Sequence, residues 1–254
     1  MQNHKLKFIN PDNTHHGSLQ SCIRTNDLSL VGDGTHLTYF EMLGNFSFGC
    51  NDYESSVEMW TLILYDLKIK TTVHYHPKSD LKTLWTKRGF ETIPDEECVW
   101  SDGNVGGYCC EHYVGDLEIG NLVNPLIHST DVGFGWERLL MVLENKKRVD
   151  ETSLFDSSLD PITKDHERTL NCLWQNDIQP GNKGRNYVCR RLLRRILSCD
   201  KKFIFQTWIE QEKELRQKCI QKGKKLWKKH KDKPISFWWE TCGIMEDDLT
   251  LIMD

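Results

Sequence analysis

The chain has 254 residues, 28% of them charged, with a mean hydropathy of −0.56 and a net charge of −4. That length suffices for one large domain or two modest ones with a sizeable core. The sequence contains no run of about eighteen apolar residues, which excludes a membrane span. Residues 1–30 are too polar for the apolar segment of a signal peptide. We therefore expect a cytoplasmic protein, with import into an organelle left open.

The small net charge hides an uneven distribution along the chain. Residues 160–235 contain twenty Lys and Arg against nine Asp and Glu, whereas residues 1–159 contain thirteen against twenty-three. Residues 236–254 contain five acidic residues and no basic residue. The basic segment predicts a polyanionic partner for the second half of the chain only. The ten cysteines, in a chain of this length, indicate free thiols in a reducing compartment.

The first half of the chain is predicted to contain both strands and helices. Short apolar runs separated by turn residues predict extended segments over residues 5–50, with a buried strand beginning at Leu37. From Tyr53 to Asp66 apolar residues recur at helical spacing, which predicts a helix. Further along, the pattern predicts a strand over residues 71–76, a helix over 81–88, a strand over 116–123 and a helix within 131–143.

The second half is predicted to be helical and basic. Residues 144–165 are polar and lack periodicity, so we place the domain boundary there, between a domain of residues 1–150 and one of residues 151–254. Two helices are predicted after it, over residues 182–197 and 205–231. In the first of them, pairs of apolar residues alternate with pairs of arginines. A period of four places these arginines on one side of the helix.

Two segments of the first half have the composition of a nucleotide site. Arg24 stands at one end of a strand–loop–strand whose return strand reads LTYFEMLGNFSFG from residue 37. A guanidinium group can bind a phosphate through two parallel hydrogen bonds, and an aromatic ring can stack on a base. The second segment reads VGFGWERLLMVLENK from residue 132. Its glycines permit close approach of the backbone to a ligand, and Arg138 follows one turn into the helix.

These strings resemble the alanyl-tRNA synthetase family of class II aminoacyl-tRNA synthetases, and they occur in that family's order. Residues 37–49 are similar to its motif 2 return strand, residues 132–146 to its motif 3, and EIGNLV from Glu118 to the strand before motif 3. NKGRNYVCRRLLRR from Asn182 is similar to the start of its tRNA-recognition region, and WWETCG from Trp238 to a later tRNA-contacting turn. The resemblance implies an α+β fold in which an antiparallel sheet flanked by helices precedes an α-helical tRNA-recognition domain.

The resemblance also implies roles for the matching residues of the first half. The catalytic pair would be Arg24, on the α-phosphate of ATP, and Arg138, on the rest of the nucleotide. Glu118 would be a ligand to Mg²⁺. The other ATP contacts would be Tyr39, Phe40, Glu41 and Gly135. The alanine site would consist of Trp100, Asn121, Asp131 and Gly133, with Asp131 holding the ammonium group.

In the second half, the resemblance implies contacts with the acceptor stem of tRNA(Ala). Glu240 stands where the family has an aspartate on the acceptor stem. The implied tRNA contacts are Asn182, Arg185, Arg190, Arg191, Arg194, Arg195 and Glu240. The lysines of residues 222–233, which alone are typical of a solvated helix face, would extend this RNA surface.

The implied function is that of a minimal alanine–tRNA ligase without editing and C-terminal domains. It would activate alanine with ATP and Mg²⁺ to alanyl-adenylate and transfer alanine to the 3′ end of tRNA(Ala), with neither DNA nor a membrane as partner. Two alternatives stay open. A related ligase could deliver the amino acid to an acceptor other than tRNA, or a non-catalytic paralogue could only bind tRNA. The absence of a recognisable motif 1 favours the second, whereas Arg24, Asp131 and Arg138 favour an enzyme.

One further group of residues has metal-binding chemistry. Cys109, Cys110 and His112 are potential zinc ligands, but a fourth ligand at suitable spacing is not evident. The residues alone therefore favour the absence of a metal at this point.

Overall fold

A computed structural model describes residues 5–26, 28–50, 53–101, 103, 105–124 and 129–253. The chain divides into two compact units, Met1–Ser157 and Ser158–Asp254, which we call unit 1 and unit 2. The sequence pattern places the corresponding boundary after residue 150. None of the helices in the described ranges is long and apolar enough to cross a membrane.

Unit 1 is built on a sheet in which antiparallel pairs dominate, which confirms the predicted α+β class. Its strands in the described ranges are β1 (Thr14–Ile23), β2 (Tyr39–Phe48), β3 (Thr72–Tyr75), β4 (Glu91–Pro94), β5 (Val99–Ser101), β6 (Gly106–Val114), β7 (Leu117–Val123) and β8 (Thr130–Gly135). The order across the sheet is β1-β2-β8-β7-β6-β3-β4, with β5 paired to β6 and a parallel pair at β3–β4. Strands β2 and β8, which carry the two predicted nucleotide segments, are therefore neighbours.

Helices cover one face of this sheet and form the core of unit 1. The described helices on that face are α2 (Tyr53–Asp66), α3 (Leu81–Thr86) and α4 (Trp136–Leu143), whereas α1 (Lys5–Ile9) packs its Phe8 against Phe46 and Phe48 on the opposite face. Helix α2 has the predicted bounds, and its Trp60 ring stacks on Phe134 of β8 with centroids 3.9 Å apart. Leu122 and Val132 face the same core. Because side chains alternate along a strand, Asn121 and Asp131 lie on the other face, which we call the open face.

Unit 2 is helical, as the sequence predicts. Its described helices are α5 (Pro161–Gln175), α6 (Gly184–Arg195), α7 (Gln206–His230) and α8 (Ile235–Cys242), followed by a 3₁₀ turn over Glu246–Ile252. The segment that resembles a tRNA-contacting turn is in fact the end of α8. That helix stops at Gly243, whose φ of 68° lets its amide donate to the Trp239 carbonyl at 2.8 Å.

Helix α5 was not predicted, because its first residues resemble a loop. Asp160 caps the helix by accepting hydrogen bonds from the amides of Ile162 and Thr163, each at 3.1 Å. Pro161 occupies the first helical position, where its missing N–H has no partner to lose. The Asp–Pro pair is therefore a helix start. The polar segment that precedes it is the end of unit 1.

We expect Gly120→Ala to destabilise unit 1 by about 2–3 kcal/mol, because overpacking a well-packed core has costs of this order. A β-carbon at this position of β7 would lie 2.4 Å from ring atoms of Phe134, which is fully buried and held by Trp60. Urea unfolding measures the change. Gly17→Ala on β1 is the matched control, since its new carbon would meet only the Gly44 carbonyl at 4.0 Å. If the two variants unfolded at the same urea midpoint, that result would contradict the packing described for β7 and β8.

Candidate active site

A cleft of about 350 Å³ opens on the open face of the sheet in unit 1. Residues of β1, β2, β7 and β8 form it together with the first turn of α4 and the loop between β1 and β2. It brings together seven of the residues predicted from the sequence, which are Arg24, Phe40, Glu118, Asn121, Gly133, Gly135 and Arg138. Its volume lies within the range of small-molecule sites.

Glycines at the floor of the cleft leave space for a ligand, because they have no side chains. Gly44 of β2 is the register partner of Gly133, and Asn121 of β7 lies opposite Gly133 on the other side. A β-carbon on Gly133 would lie 2.7 Å from the Met42 Cε atom and would fill this space. The backbone of β8 is therefore accessible to a ligand lying across the strands.

Two arginines line the cleft from different elements. Arg24 follows the end of β1, and its amide donates to the Thr38 carbonyl at 2.9 Å, which closes the loop between β1 and β2. Arg138 lies in the first turn of α4. Its Nη1 donates to the backbone carbonyl of Glu118 at 2.7 Å and to the Glu118 carboxylate at 3.2 Å. The arrangement offers two guanidinium groups and one carboxylate to the same ligand.

Glu137 is a residue of the cleft that belongs to the motif 3 resemblance but was given no role from the sequence. Its side chain is buried, and Oε2 accepts a hydrogen bond from the Glu41 amide at 3.0 Å. This bond fixes the first turn of α4 against β2, next to Arg138. An acidic residue in the first turn of a helix that directly follows a glycine-rich strand is the signal that identifies it.

Tyr39 and Glu41 lie outside the lining of the cleft. Phe40 and Met42 line it, so the intervening side chains of β2 extend from the opposite face. The Tyr39 hydroxyl lies 3.2 Å from Ser21 Oγ and donates to the Glu41 carboxylate at 3.3 Å. The resemblance implies direct ATP contacts for these two side chains, but neither side chain lines the cleft. The Glu41 amide does contact a cleft residue, because it donates to Glu137 Oε2.

The loop between β1 and β2 is held in place from two sides. The Asp33 carboxylate accepts hydrogen bonds from the amides of Thr35 at 2.8 Å and His36 at 3.0 Å, and it pairs with the His36 ring at 2.6 Å. Burial opposes ionisation of Asp33, but these hydrogen bonds dominate and lower its pKa. Arg148, which follows α4, donates to the Gly32 carbonyl at 2.9 Å. Thr35 and His36 thus line the cleft from a braced loop.

Asp131 lies near the cleft, and its side chain is almost completely buried. It is 8% exposed, and burial raises the pKa of its carboxyl group to about 6. Asp131 is on the same side of β8 as Gly133, with Phe46 opposite it on β2 and Val123 opposite it on β7. A carboxylate that is costly to ionise in this position gains from a cationic ligand.

Trp100 of β5 packs beside the residues that pair with Asp131 across the sheet. It packs against Cys98, Cys109 and Val123, and Val123 is the register partner of Asp131. The residues predicted to bind the amino acid therefore share the open face; they are Trp100, Asn121, Asp131 and Gly133. Asn121 and Gly133 line the cleft, whereas Trp100 and Asp131 are not among its lining residues.

The arginines of α6 in unit 2 divide into two groups. Arg190 and Arg194 both bind the buried carboxylate of Glu212 on α7, with Nε–O distances of 3.1 and 2.6 Å. Arg194 also lies 3.5 Å from Asp248, and only 5% of its side chain is exposed. These two side chains are occupied within unit 2. Of the other predicted tRNA contacts, Arg195 is half-buried, whereas Asn182, Arg185, Arg191 and Glu240 are exposed.

Comparison with known proteins relates this chain to a family. The profile described as "tRNA synthetases class II (A)" matches residues 5–95. An alanine–tRNA ligase of Desulfitobacterium hafniense is 30% identical over 80% of the chain, and one of Rhodopseudomonas palustris is 32% identical over 70%. One of Wolbachia pipientis is 33% identical over 70%. The chain is alanyl-tRNA synthetase-like.

This alanyl-tRNA synthetase-like chain corresponds to part of its relatives. It covers 31%, 28% and 27% of the three ligases and so spans about a third of their length. The matched residues 5–95 include Arg24 and the braced loop, whereas Asp131 and Arg138 lie beyond them. Among solved structures, a pyrrolysyl-tRNA synthetase, PylSc of Desulfitobacterium hafniense, aligns at 19% identity with a TM-score of 0.40, over 63% of this chain and 55% of the other.

Proposed function

We propose that the chain is an ATP-dependent aminoacyl-tRNA ligase that activates alanine and transfers it to the 3′ end of tRNA(Ala). The supporting observation is that Arg24 and Arg138 line one cleft with Asn121, beside the buried carboxylate of Asp131. Two guanidinium groups suit a polyphosphate, and a desolvated carboxylate suits an ammonium group. The names of the relatives support alanine as the amino acid.

Activation requires no covalent bond to the protein. An oxygen of the alanine carboxylate attacks the α-phosphorus of ATP, the bond from that phosphorus to the bridging oxygen breaks, and pyrophosphate leaves with the electron pair. Arg24 donates hydrogen bonds to the α-phosphate oxygens, where negative charge accumulates, and Arg138 donates to the rest of the nucleotide. The protein contributes positioning and electrostatic stabilisation.

Glu118 fits the role of a Mg²⁺ ligand. Proteins usually hold this ion through one or two carboxylates together with substrate phosphates and water. Glu118 lines the cleft, and about a third of its side chain is exposed, at 35%. When bound, Mg²⁺ would neutralise phosphate charge. Arg138 Nη1 donates both to the Glu118 backbone carbonyl and to its carboxylate, and so holds the carboxylate at the edge of the cleft.

Alanine binds in the row of side chains next to Asp131. The Asp131 carboxylate accepts hydrogen bonds from the ammonium group, with the Asn121 side chain beside it. Trp100 limits the space for the amino-acid side chain, and Gly133 allows the substrate backbone to approach β8. A pocket that is bounded by a large ring and has no side chain on its floor favours a small substrate.

Transfer to tRNA completes the reaction. A hydroxyl of the terminal ribose attacks the alanyl carbonyl carbon, the bond from that carbon to the AMP oxygen breaks, AMP leaves, and the hydroxyl proton passes to solvent. In unit 2, Asn182, Arg185, Arg191 and Glu240 are exposed and suited to the acceptor stem, with Arg195 at their edge. Arg190 and Arg194 are positioning residues that hold α6 through Glu212.

Charging of tRNA(Ala) with labelled alanine by the full chain tests this proposal. We expect alanyl-tRNA to form, and Arg191→Ala to reduce the dependence of tRNA binding on salt by about one phosphate contact. Alanine-dependent pyrophosphate exchange should stay unchanged in this variant. Lys87→Ala, an exposed lysine of unit 1, is the control that should alter neither step. The resemblance places Glu240 near the G·U wobble pair of the acceptor stem, so transcripts with and without that pair determine whether Glu240 retains its selection.

Exchange without charging of any tRNA would favour the alternative ligase with a different acceptor. Binding of tRNA without exchange would favour the non-catalytic paralogue. Either result would reject the proposed reaction.

A further inference from the structure

A second group of reactive side chains lies on the open face of the sheet, outside the cleft lining. The Cys98 and Cys109 sulfurs and a Glu111 carboxylate oxygen all lie within 4.8 Å of one another. Cys98 directly precedes β5, whereas Cys109 and Glu111 are two residues apart on β6 and therefore share a face. The Cys109 amide donates to the Cys98 carbonyl at 2.9 Å and holds the two segments together.

The potential zinc ligands recognised in the sequence do not form this group. Strand alternation sends Cys110 and His112 to the core face, away from Cys109. The Cys110 sulfur accepts a hydrogen bond from Trp85 Nε1 at 3.1 Å, and His112 Nδ1 lies 3.0 Å from the Thr71 hydroxyl. Cys98, which directly precedes β5, is the second thiol of the group instead.

The donor set has the chemistry of a zinc site. The two soft thiolates suit Zn²⁺ better than Mg²⁺ or Ca²⁺, and Zn²⁺ also accepts a carboxylate oxygen as a ligand. With Zn–S bonds of about 2.3 Å, ligand atoms in a tetrahedral site lie about 3.5–3.8 Å apart. The distance from Cys109 Sγ to Glu111 Oε1 is 3.9 Å, so small side-chain rotations suffice for coordination.

Neighbouring residues bury the two thiols and orient the Glu111 carboxylate. Both thiols are free and 1% exposed, and Trp100 packs against them. The Tyr113 hydroxyl donates to Glu111 Oε2 at 2.8 Å, which leaves Oε1 directed at Cys109. A hydrogen bond to the non-coordinating oxygen of a carboxylate is the usual way in which a protein orients such a ligand.

The group lies next to the residues that we propose to bind the amino acid. Glu111 is the register partner of Asn121, and Cys109 is the partner of Val123, which in turn pairs with Asp131. Within the described ranges, three side chains supply one ligand atom each to this group, which leaves a fourth tetrahedral position for water or substrate. Such an open position is typical of zinc sites that take part in binding or chemistry.

We propose that Cys98, Cys109 and Glu111 bind one Zn²⁺ ion on the open face, with the fourth position occupied by water or substrate. Binding of the metal does not depend on the proposed ligase activity, because the ligands are outside the ATP contacts.

Metal analysis of the full chain, produced with zinc in the medium and purified without chelators, tests this site. We expect about one zinc per chain and, after replacement by Co²⁺, a thiolate-to-cobalt charge-transfer band. Cys109→Ser and Glu111→Gln should lose the metal, whereas Cys50→Ser, which alters a cysteine outside the group, should retain it. Tyr113→Phe should bind zinc about 10–100-fold more weakly, as expected for the loss of a hydrogen bond to a ligand.

A second measurement keeps the proposal testable if a variant fails to fold. In the unaltered chain, a chelator should increase alkylation of Cys98 and Cys109 and leave that of Cys50 unchanged. Failure of the folded, reduced chain to bind added zinc would overturn the proposal. Retention of zinc by the Cys98→Ser/Cys109→Ser double variant, or a disulfide between these cysteines under reducing conditions, would overturn it as well.

Discussion

Replacing Asp131 with Asn should stabilise unit 1 at neutral pH and abolish most alanine activation. The two effects have opposite signs because a buried carboxylate is unfavourable for folding and favourable for holding an ammonium group. Asp131 is 8% exposed, and burial raises its pKa from 3.8 to about 6.

The pH dependence of the stability change follows from this raised pKa. Protonated Asp131 is favoured in the folded state, so its contribution to stability is fully present below pH 3.8 and is lost as the pH rises through about 6. Above pH 7 the Asn variant should therefore exceed the original chain in free energy of unfolding by about 3 kcal/mol. The difference should disappear near pH 3.5, within about 0.5 kcal/mol.

The effect on activity comes from the missing countercharge. Removing one partner of a buried charge pair costs about 2 kcal/mol or more, so kcat/KM for alanine should fall at least about 30-fold. In the original chain, KM for alanine should rise as the pH falls below about 6, because the carboxylate becomes protonated.

Urea unfolding across pH and pyrophosphate exchange measure the two effects, with Asp116→Asn in the exposed turn between β6 and β7 as the control. Hydrogen exchange of peptides from residues 130–143 assigns the stability change to unit 1. Loss of stability at pH 8 would contradict the burial argument. Unchanged alanine activation would reject the role of Asp131 in binding the ammonium group.

Glu212→Gln should destabilise unit 2 by about 3 kcal/mol or more, because it leaves buried guanidinium groups without their countercharge. The Glu212 carboxylate is 4% exposed and accepts hydrogen bonds from Arg190 and Arg194. Asp248 lies 3.5 Å from Arg194 and is already bound by Arg216 at 2.7 Å, so it compensates only in part.

The matched control for this substitution lies half a turn away on the same helix. Glu214 pairs with Lys218, but both side chains are 68% exposed, so Glu214→Gln should change stability by about 0.5 kcal/mol or less. Hydrogen exchange of peptides from α6 and α7 in the full chain compares the two variants. Equal protection in both would contradict the assignment of Arg190 and Arg194 to a structural ion network.

The sequence pattern predicted elements whose apolar spacing reflects direct packing. Helix α2 has the predicted bounds because Val57, Trp60 and Leu64 all face the core. The α+β class and the family followed from motifs that occur in order along the chain. Helix α5 escaped prediction because its start is defined by a cap and a proline, which also occur in loops.

Side-chain direction and long-range partners were less accessible from the sequence. The motif that contains Phe40 also contains Tyr39 and Glu41, and only the pairing of β2 with β8 determines which side chains face the cleft. The arginine pairs of α6 have identical local patterns. Their division into bound and exposed residues depends on Glu212, which lies on another helix. Cys98 joins Cys109 through strand pairing for the same reason.

Alanine-dependent exchange of labelled pyrophosphate into ATP tests the central claim most directly, because it isolates activation in the cleft from any contact with tRNA. The assay uses the full chain, a panel of amino acids, and Arg24→Ala and Arg138→Ala as variants whose fold is checked by circular dichroism. We predict exchange with alanine above all other amino acids, and its loss in both variants. The absence of exchange with every amino acid in a pure, folded chain would contradict the account.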